Sequence, residues 1–209
     1  MAGLFVVFEG ADGTGKSTQV AAVSTRLRAA GYPVVVTREP GGSAVAEKLR
    51  SLVLDPAHDI DAMTEALLFA AARADHIAQT ITPALAADKI VLSDRFVGSS
   101  IAYQSAGRGL SSQTITDINA YATGGLTPDV TVVLDLAESV AGDRRVDRGE
   151  AIDRMESAPD GFQDAVRASF LEQAHAAPAR HVIVDAAQSA EAVTEEILAY
   201  LATKHGVKL

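Results

Sequence analysis

LFVVFEGADGTGKST, residues 4–18, runs an unbroken apolar segment straight into a glycine-rich turn that ends in Lys-Ser-Thr. The apolar part, 4–8, does not alternate with polar residues, so it reads as a strand buried on both faces. The turn fits G-x-x-x-x-G-K-[ST] in full, with Gly10, Ala11, Asp12, Gly13, Thr14, Gly15, Lys16 and Ser17, followed by Thr18. Glycine lets successive backbone N–H groups point inward at phosphate oxygens. A helix starting at Lys16 adds the partial positive charge of its N-terminus. Lys16 then reaches the β- and γ-phosphates of a nucleotide such as ATP, and the Ser17 hydroxyl is placed to ligate Mg²⁺. The bland alternative is a glycine turn that matches by chance. The strand before it and the helix after it argue against that.

Working outward, apolar runs at 33–37, 90–92, 130–136 and 181–184 read as four more strands. Helical segments fall at 16–30, 43–54, 62–86, 111–122, 162–174 and 189–203, with Gly31 as a stop and Ser43 as a cap. On the long segment 62–86, the spacing of Leu67, Ala70, Ala74, Ile77 and Ile81 predicts the inward stripe. Strands that alternate with helices and lack a polar face imply an α/β fold: a five-stranded parallel sheet with helices on both faces. No repeat or linker divides the chain, so one domain over 1–209 is expected.

At 209 residues and 48% apolar composition the chain can bury a substantial core. It has no cysteine, which excludes disulfides, thiol nucleophiles and thiolate zinc sites and suits a reducing compartment. The absence of a long apolar run or a secretion signal leads us to expect a cytoplasmic protein without a membrane partner. A net charge of −9 disfavours extended contact with nucleic acid. Thirteen of the 18 basic residues are arginine, whose planar fork suits phosphate. Arg26, Arg28, Arg167 and Arg180 fall on polar faces or element ends and read as surface residues.

The phosphate loop says nucleotide, not task. A GTP switch would carry Asn-Lys-x-Asp, which is absent. A small kinase needs a second anion site and a mobile arginine-bearing lid. Asp94-Arg95 closes the third strand, where an open parallel sheet forms its ligand crevice. Arg144, Arg145, Arg148 and Arg154 crowd a polar stretch that fits a lid at about 142–158. Phe69 and Arg73, four apart on a helix, share a face. Taken alone, Phe69 would be ordinary core and Arg73 a surface partner of Glu65 or Asp75. Asp94 and Asp135, both at strand ends, compete as the carboxylate on the Mg²⁺ side, and the adjoining Arg95 favours Asp94. The five histidines show no ligand spacing and receive no role.

Eight segments, in order along the chain, resemble bacterial thymidylate kinases: FEGADGTGKSTQ (8–19), TREPGG (37–42), AEKLRSLVLD (46–55), EALLFAAARADH (65–76), SDRFVGSSIAYQ (93–104), GRGL (107–110), TPDVTVVLDL (127–136) and RGEAIDRME (148–156). The resemblance implies the P-loop kinase fold, an arginine-rich lid, a homodimer, and transfer of phosphate from Mg²⁺-ATP to dTMP. It assigns Arg95 to the acceptor phosphate and Asp12 to the acceptor's 3′-hydroxyl. Phe69 would stack on thymine, and Arg73 would donate to its 4-oxo group. Ser100 and Gln104 would lie near the base and Tyr103 near the sugar. Glu39 and Arg50, with Arg38 beside them, would line the acceptor pocket. Arg148 would stabilise charge on the transferring phosphoryl group, since the family's alternative arginine inside the phosphate loop is absent here. Two rivals stay open. One is a related small kinase for another nucleotide or nucleoside. The other is an ATP-dependent switch without an acceptor.

Overall fold

The computed structural model describes residues 3–148, 154, 155 and 161–209. Five strands, β1 (Leu4–Glu9), β2 (Val34–Arg38), β3 (Ile90–Asp94), β4 (Val130–Asp135) and β5 (His181–Asp185), form one sheet in the order β2-β3-β1-β4-β5. All four pairings are parallel. The first strand therefore lies at the centre, and the loop that leaves it emerges between β3 and β4. Register aligns the C-terminal ends: Phe8 and Arg38 both pair with Asp94, and Glu9 pairs with Val133.

The lack of alternation in β1 follows from burial on both faces. Leu4, Val6 and Phe8 point into one cluster with Val20, Val23 and Leu27 of α1 (Lys16–Ala29) and Ile197, Leu198 and Leu201 of α9 (Ala190–His205). Phe5 and Val7 point the other way, against Ile77, Ile81, Ala84 and Phe96. The Phe5 and Phe96 rings meet edge-on, with centroids 5.1 Å apart. Each such fully buried side chain contributes about 1.5–3 kcal/mol.

Around the sheet lie α2 (Ala44–Leu54), α3 (Ala62–His76), α4 (Thr82–Ala86), α5 (Val97–Ser100), α6 (Ser112–Thr123), α7 (Glu138–Arg148) and α8 (Phe162–Ala176). Ser43 caps α2 as expected, its hydroxyl accepting from Ala46 N–H. The long segment 62–86 is helical throughout, with a wider π turn at Ile77–Ile81. A second π turn, Ile101–Gly107, continues α5.

The inward stripe of that long helix differs from the one expected. Ala70, Ile77 and Ile81 are buried, but Leu67 is 51% exposed and Ala74 also faces outward. Glu65, Arg73 and His76 turn inward instead. Apolar spacing misleads here because these three polar side chains bond to partners inside the protein.

Candidate active site

Gly10 has φ 141°, and a Cβ there would lie 2.6 Å from the carbonyl oxygen of Leu134, so only glycine fits. Gly15, at φ 90°, caps α1 without a side-chain hydrogen bond. No acidic residue sits in the first turn. The first amides of this 14-residue helix are thus left for an anion. Lys16 folds back on the loop and donates to the carbonyls of Gly10 at 3.1 Å and Ala11 at 2.8 Å. Burial, and then the neighbouring Arg95 cation, bring its ammonium down to about 8.

Ser17 donates to Asp94 Oδ2 at 2.6 Å, joining the start of α1 to the end of β3. Asp135 is occupied otherwise: Arg167 grips it with two bonds, of 2.6 and 3.0 Å. Arg167 is therefore a paired residue.

Arg95 has φ 73°, uncommon for a residue with a side chain. Its backbone is held there by Phe8 O at 2.9 Å and by the Ser93 hydroxyl, which donates to Arg95 O at 2.8 Å. The bend sends the guanidinium under the phosphate loop. It donates to Gly10 O (3.2 Å), Ser99 Oγ (3.0 Å), Asp12 Oδ1 (2.5 Å) and Tyr103 Oη (3.1 Å). Tyr103 in turn donates to Asp12 Oδ2 at 2.7 Å. Burial alone would raise the Asp12 carboxyl. The cations of Arg95 and Lys16 and the bonds from Tyr103 and Arg95 outweigh it and hold Asp12 well below the usual carboxylate range. Asp12 is a fixed anion and acceptor, not a base.

Behind Arg95 lies Glu9, which sequence reasoning missed because it falls between the apolar run 4–8 and the loop motif that starts at Gly10. Its carboxylate accepts from the Phe96 and Ser99 amides and the Ser99 hydroxyl, and burial pushes it up to about 6 despite those bonds. Phe96 itself is core and carries no polar side-chain group into the site.

A second buried network forms the far wall. Arg73 donates through Nε to Glu39 at 2.7 Å, through Nη1 to Ser100 Oγ at 2.9 Å and to Asn119, and through Nη2 to Phe96 O at 2.9 Å. One Nη2 N–H has no partner among the described residues. Glu39 also meets His76 Nδ1 at 3.0 Å, and His76 Nε2 meets Thr37 Oγ1 at 2.6 Å. Arg73 pairs with neither Glu65 nor Asp75; the latter accepts from Ser43. Lone sequence spacing gave His76 and Asn119 no signal, because their partners lie 37 and 46 residues away.

These elements enclose one cavity of about 790 Å³. Asp12, Gly13, Thr14, Gly15, Lys16, Ser17, Thr18, Asp94 and Arg95 line one part of it. Glu39, Arg50, Phe69, Arg73, Ser100, Tyr103 and Gln104 line the other, together with Arg38. Gly10 and Ala11 turn their carbonyls to Lys16 behind this wall. Arg50 donates to Pro40 O at 2.8 Å, and the exposed Arg38 pairs with Glu47 at 3.1 Å. Leu54 and Met155 add apolar wall. Ala186 and Gln188 from the turn after β5, and Ala190 and Val193 from the first turn of α9, also reach it, a stretch without any motif. Arg144 joins them, donating to Ala186 O at 3.2 Å. The Arg145 and Arg148 side chains lie outside the described residues, as do 149–153 and 156–160 of the expected lid.

Comparison with known proteins identifies the family and the fold. The thymidylate kinase family model matches residues 8–197. The chain belongs to the thymidylate kinase family. It is 47% identical over 198 residues to a thymidylate kinase of Exiguobacterium sibiricum, covering 94% of this chain and 93% of that one. To a thymidylate kinase of Pseudomonas putida it is 48% identical over 202 residues, 96% of each chain. The crystal structure of thymidylate kinase from Ehrlichia chaffeensis superposes with a TM-score of 0.78 at 30% identity, over 96% of this chain and 99% of that one. The fold is that of a P-loop kinase.

Proposed function

We propose that this chain is one kinase domain that transfers the γ-phosphoryl group of ATP to the 5′-phosphate of dTMP, releasing dTDP and ADP. The observation that carries this is the continuous cavity. It joins a phosphate loop to a second polar pocket, with Arg95 and Asp12 between them.

The residues divide by position. Loop amides and Lys16 take the donor phosphates. Arg95 binds the acceptor phosphate, exchanging bonds with Asp12 and Tyr103 for bonds to phosphate oxygens. Asp12 then turns to the 3′-hydroxyl, and the Tyr103 ring fills the space a 2′-hydroxyl would need. Phe69 stacks on the base. Arg73 offers its remaining N–H to the 4-oxo group, and Ser100 and Gln104 border the ring. Glu39 holds Arg73, and Arg50 flanks the acceptor side. The acceptor phosphate is already ionised, so no general base is needed, and catalysis is positioning plus charge stabilisation. Arg148 supplies part of that stabilisation from the lid.

Mg²⁺ fits the Ser17–Asp94 pair, since both are hard oxygen donors on the cavity wall. It would neutralise charge between the β- and γ-phosphates. A homodimer fits the open face of the helical segment 62–86, where Leu67, Ala71 and Ala74 of α3 and Ala78 of the π turn are exposed at spacings of four and three. Among the described residues no helix is long and apolar enough to cross a membrane. The proposed place of action is the cytoplasm.

The test is diphosphate formation from ATP and Mg²⁺ across dTMP, dUMP, dCMP, AMP, GMP, CMP and thymidine. A strong preference for dTMP supports the reading. Preference for another acceptor keeps the kinase and discards the thymine pocket. ATP hydrolysis that ignores every acceptor points to a switch.

A further inference from the structure

Glu65, in the first turn of α3, is completely buried. Three side chains from outside that helix converge on it. Gln104 Nε2 donates to Oε1 at 2.9 Å. Arg154 Nη2 donates to Oε2 at 2.5 Å. Arg108 Nη2 lies 3.4 Å from Oε2. Arg154 is itself anchored, its Nε donating to Val53 O at 2.9 Å and its backbone N–H to Leu54 O at 3.3 Å. Two cations thus hold Glu65 in place, and a carboxylate between two guanidiniums can only accept.

That fixes the amide of Gln104. Its NH₂ must face Glu65, so its oxygen must face away. The oxygen has no hydrogen-bond partner among the described residues, and Gln104 lines the cavity beside Arg73 and Ser100. Among the described residues, this wall therefore offers the Arg73 Nη2 N–H as a donor and the Gln104 oxygen as an acceptor, with the Ser100 hydroxyl between them. A pyrimidine edge bearing a carbonyl acceptor next to an imide N–H donor matches this pair. Cytosine presents the reverse, an amino donor next to a bare ring nitrogen. A Gln104 amide turned end for end would present NH₂ and suit that nitrogen instead.

We propose that Glu65, which does not touch the substrate, is the positioning residue that sets base selectivity by locking the Gln104 amide with its oxygen toward the base. This inference rests on the dTMP reading above. Glu65→Gln keeps the shape but can donate to Gln104 Oε1, which frees the amide to turn. The experiment measures kcat/KM for dTMP and dCMP in wild type, Glu65→Gln, Gln104→Ala and the double variant. The dTMP/dCMP ratio should fall about tenfold or more in Glu65→Gln. In the Gln104→Ala background the same substitution should leave the ratio unmoved.

Equal losses on both substrates in Glu65→Gln, with the ratio intact, would mark Glu65 as a structural residue and overturn the inference. A ratio that still falls without Gln104 overturns it too. Should Glu65→Gln fail to fold, Glu65→Asp keeps the charge but withdraws it from Gln104, and the same ratio decides. A wild type with no preference for dTMP overturns the dTMP reading itself. A wild-type preference that survives Glu65→Gln overturns only the role of Glu65.

Discussion

Arg73 Nε and Glu39 Oε2 lie 2.7 Å apart in an ion pair whose side chains are only 2% and 3% exposed. The pair joins the turn after β2 to α3 and aims Arg73 at the acceptor pocket. Removing one partner leaves a buried charge alone, at a cost of about 3–5 kcal/mol. Arg73→Met should therefore lower the unfolding free energy by roughly that amount in urea titration, and raise the KM for dTMP as well. A variant as stable as wild type would mean that His76 alone satisfies Glu39.

Arg95→Ala should cut kcat/KM for the acceptor by about a hundredfold or more, because it removes the fork proposed for the acceptor phosphate. ATP affinity, read by titration with a non-hydrolysable analogue, should hardly change. Parallel losses in both would place Arg95 on the donor side.

Arg148→Ala should lower turnover far more than it weakens dTMP binding, as expected of a group that acts on charge in the transition state. Equal losses in both would count against its lid role.

Asp94→Asn weakens the pair that Ser17 and Asp94 make at 2.6 Å. The Mg²⁺ concentration for half-maximal rate should rise by about tenfold, within the range for loss of a residue that supports a metal site. Chelation of the metal should stop turnover. An unchanged Mg²⁺ requirement would leave Asp94 as a partner of the Ser17 hydroxyl alone.

Glu9 titrates at about 6 in the folded protein, raised by burial from its ordinary 4.5. The folded state therefore holds an extra proton between those values. This contribution is complete below about pH 4.5 and is lost as pH rises through 6. It is worth about 2 kcal/mol. The stability of wild type relative to Glu9→Gln should fall by that amount from pH 4.5 to above 6. A difference that stays flat over this window would show that Glu9 does not titrate there.

The short-range parts of the site were legible in the chain. The loop at 10–18 and the strand-end pair Asp94-Arg95 are local patterns, each carrying its geometry within a few residues. The spacing of Phe69 and Arg73 gave only a shared helix face, and the resemblance alone pointed them to the pocket. Glu9, His76, Asn119 and the Glu65 cluster were not legible, because their partners are far away in sequence. Glu9 meets Ser99 ninety residues on, and Glu65 meets Arg154 eighty-nine residues on. The misread stripe on 62–86 has the same origin. Leu67 faces out and Glu65 faces in because neighbouring elements, not the helix, supply the partners.

By itself the sequence determined a parallel α/β sheet, since continuous apolar runs need cover on both faces, and a nucleotide site, since glycine spacing fixes the loop backbone. Only the tertiary structure decided which side chains reach the cavity free to bond and which are already paired. Asp135 is gripped by Arg167 while the Asp94 carboxylate accepts from the loop's Ser17, and Gln104 is turned by Glu65. Pairing depends on distance in space, and a charge or amide declares its role only when its partner is in place.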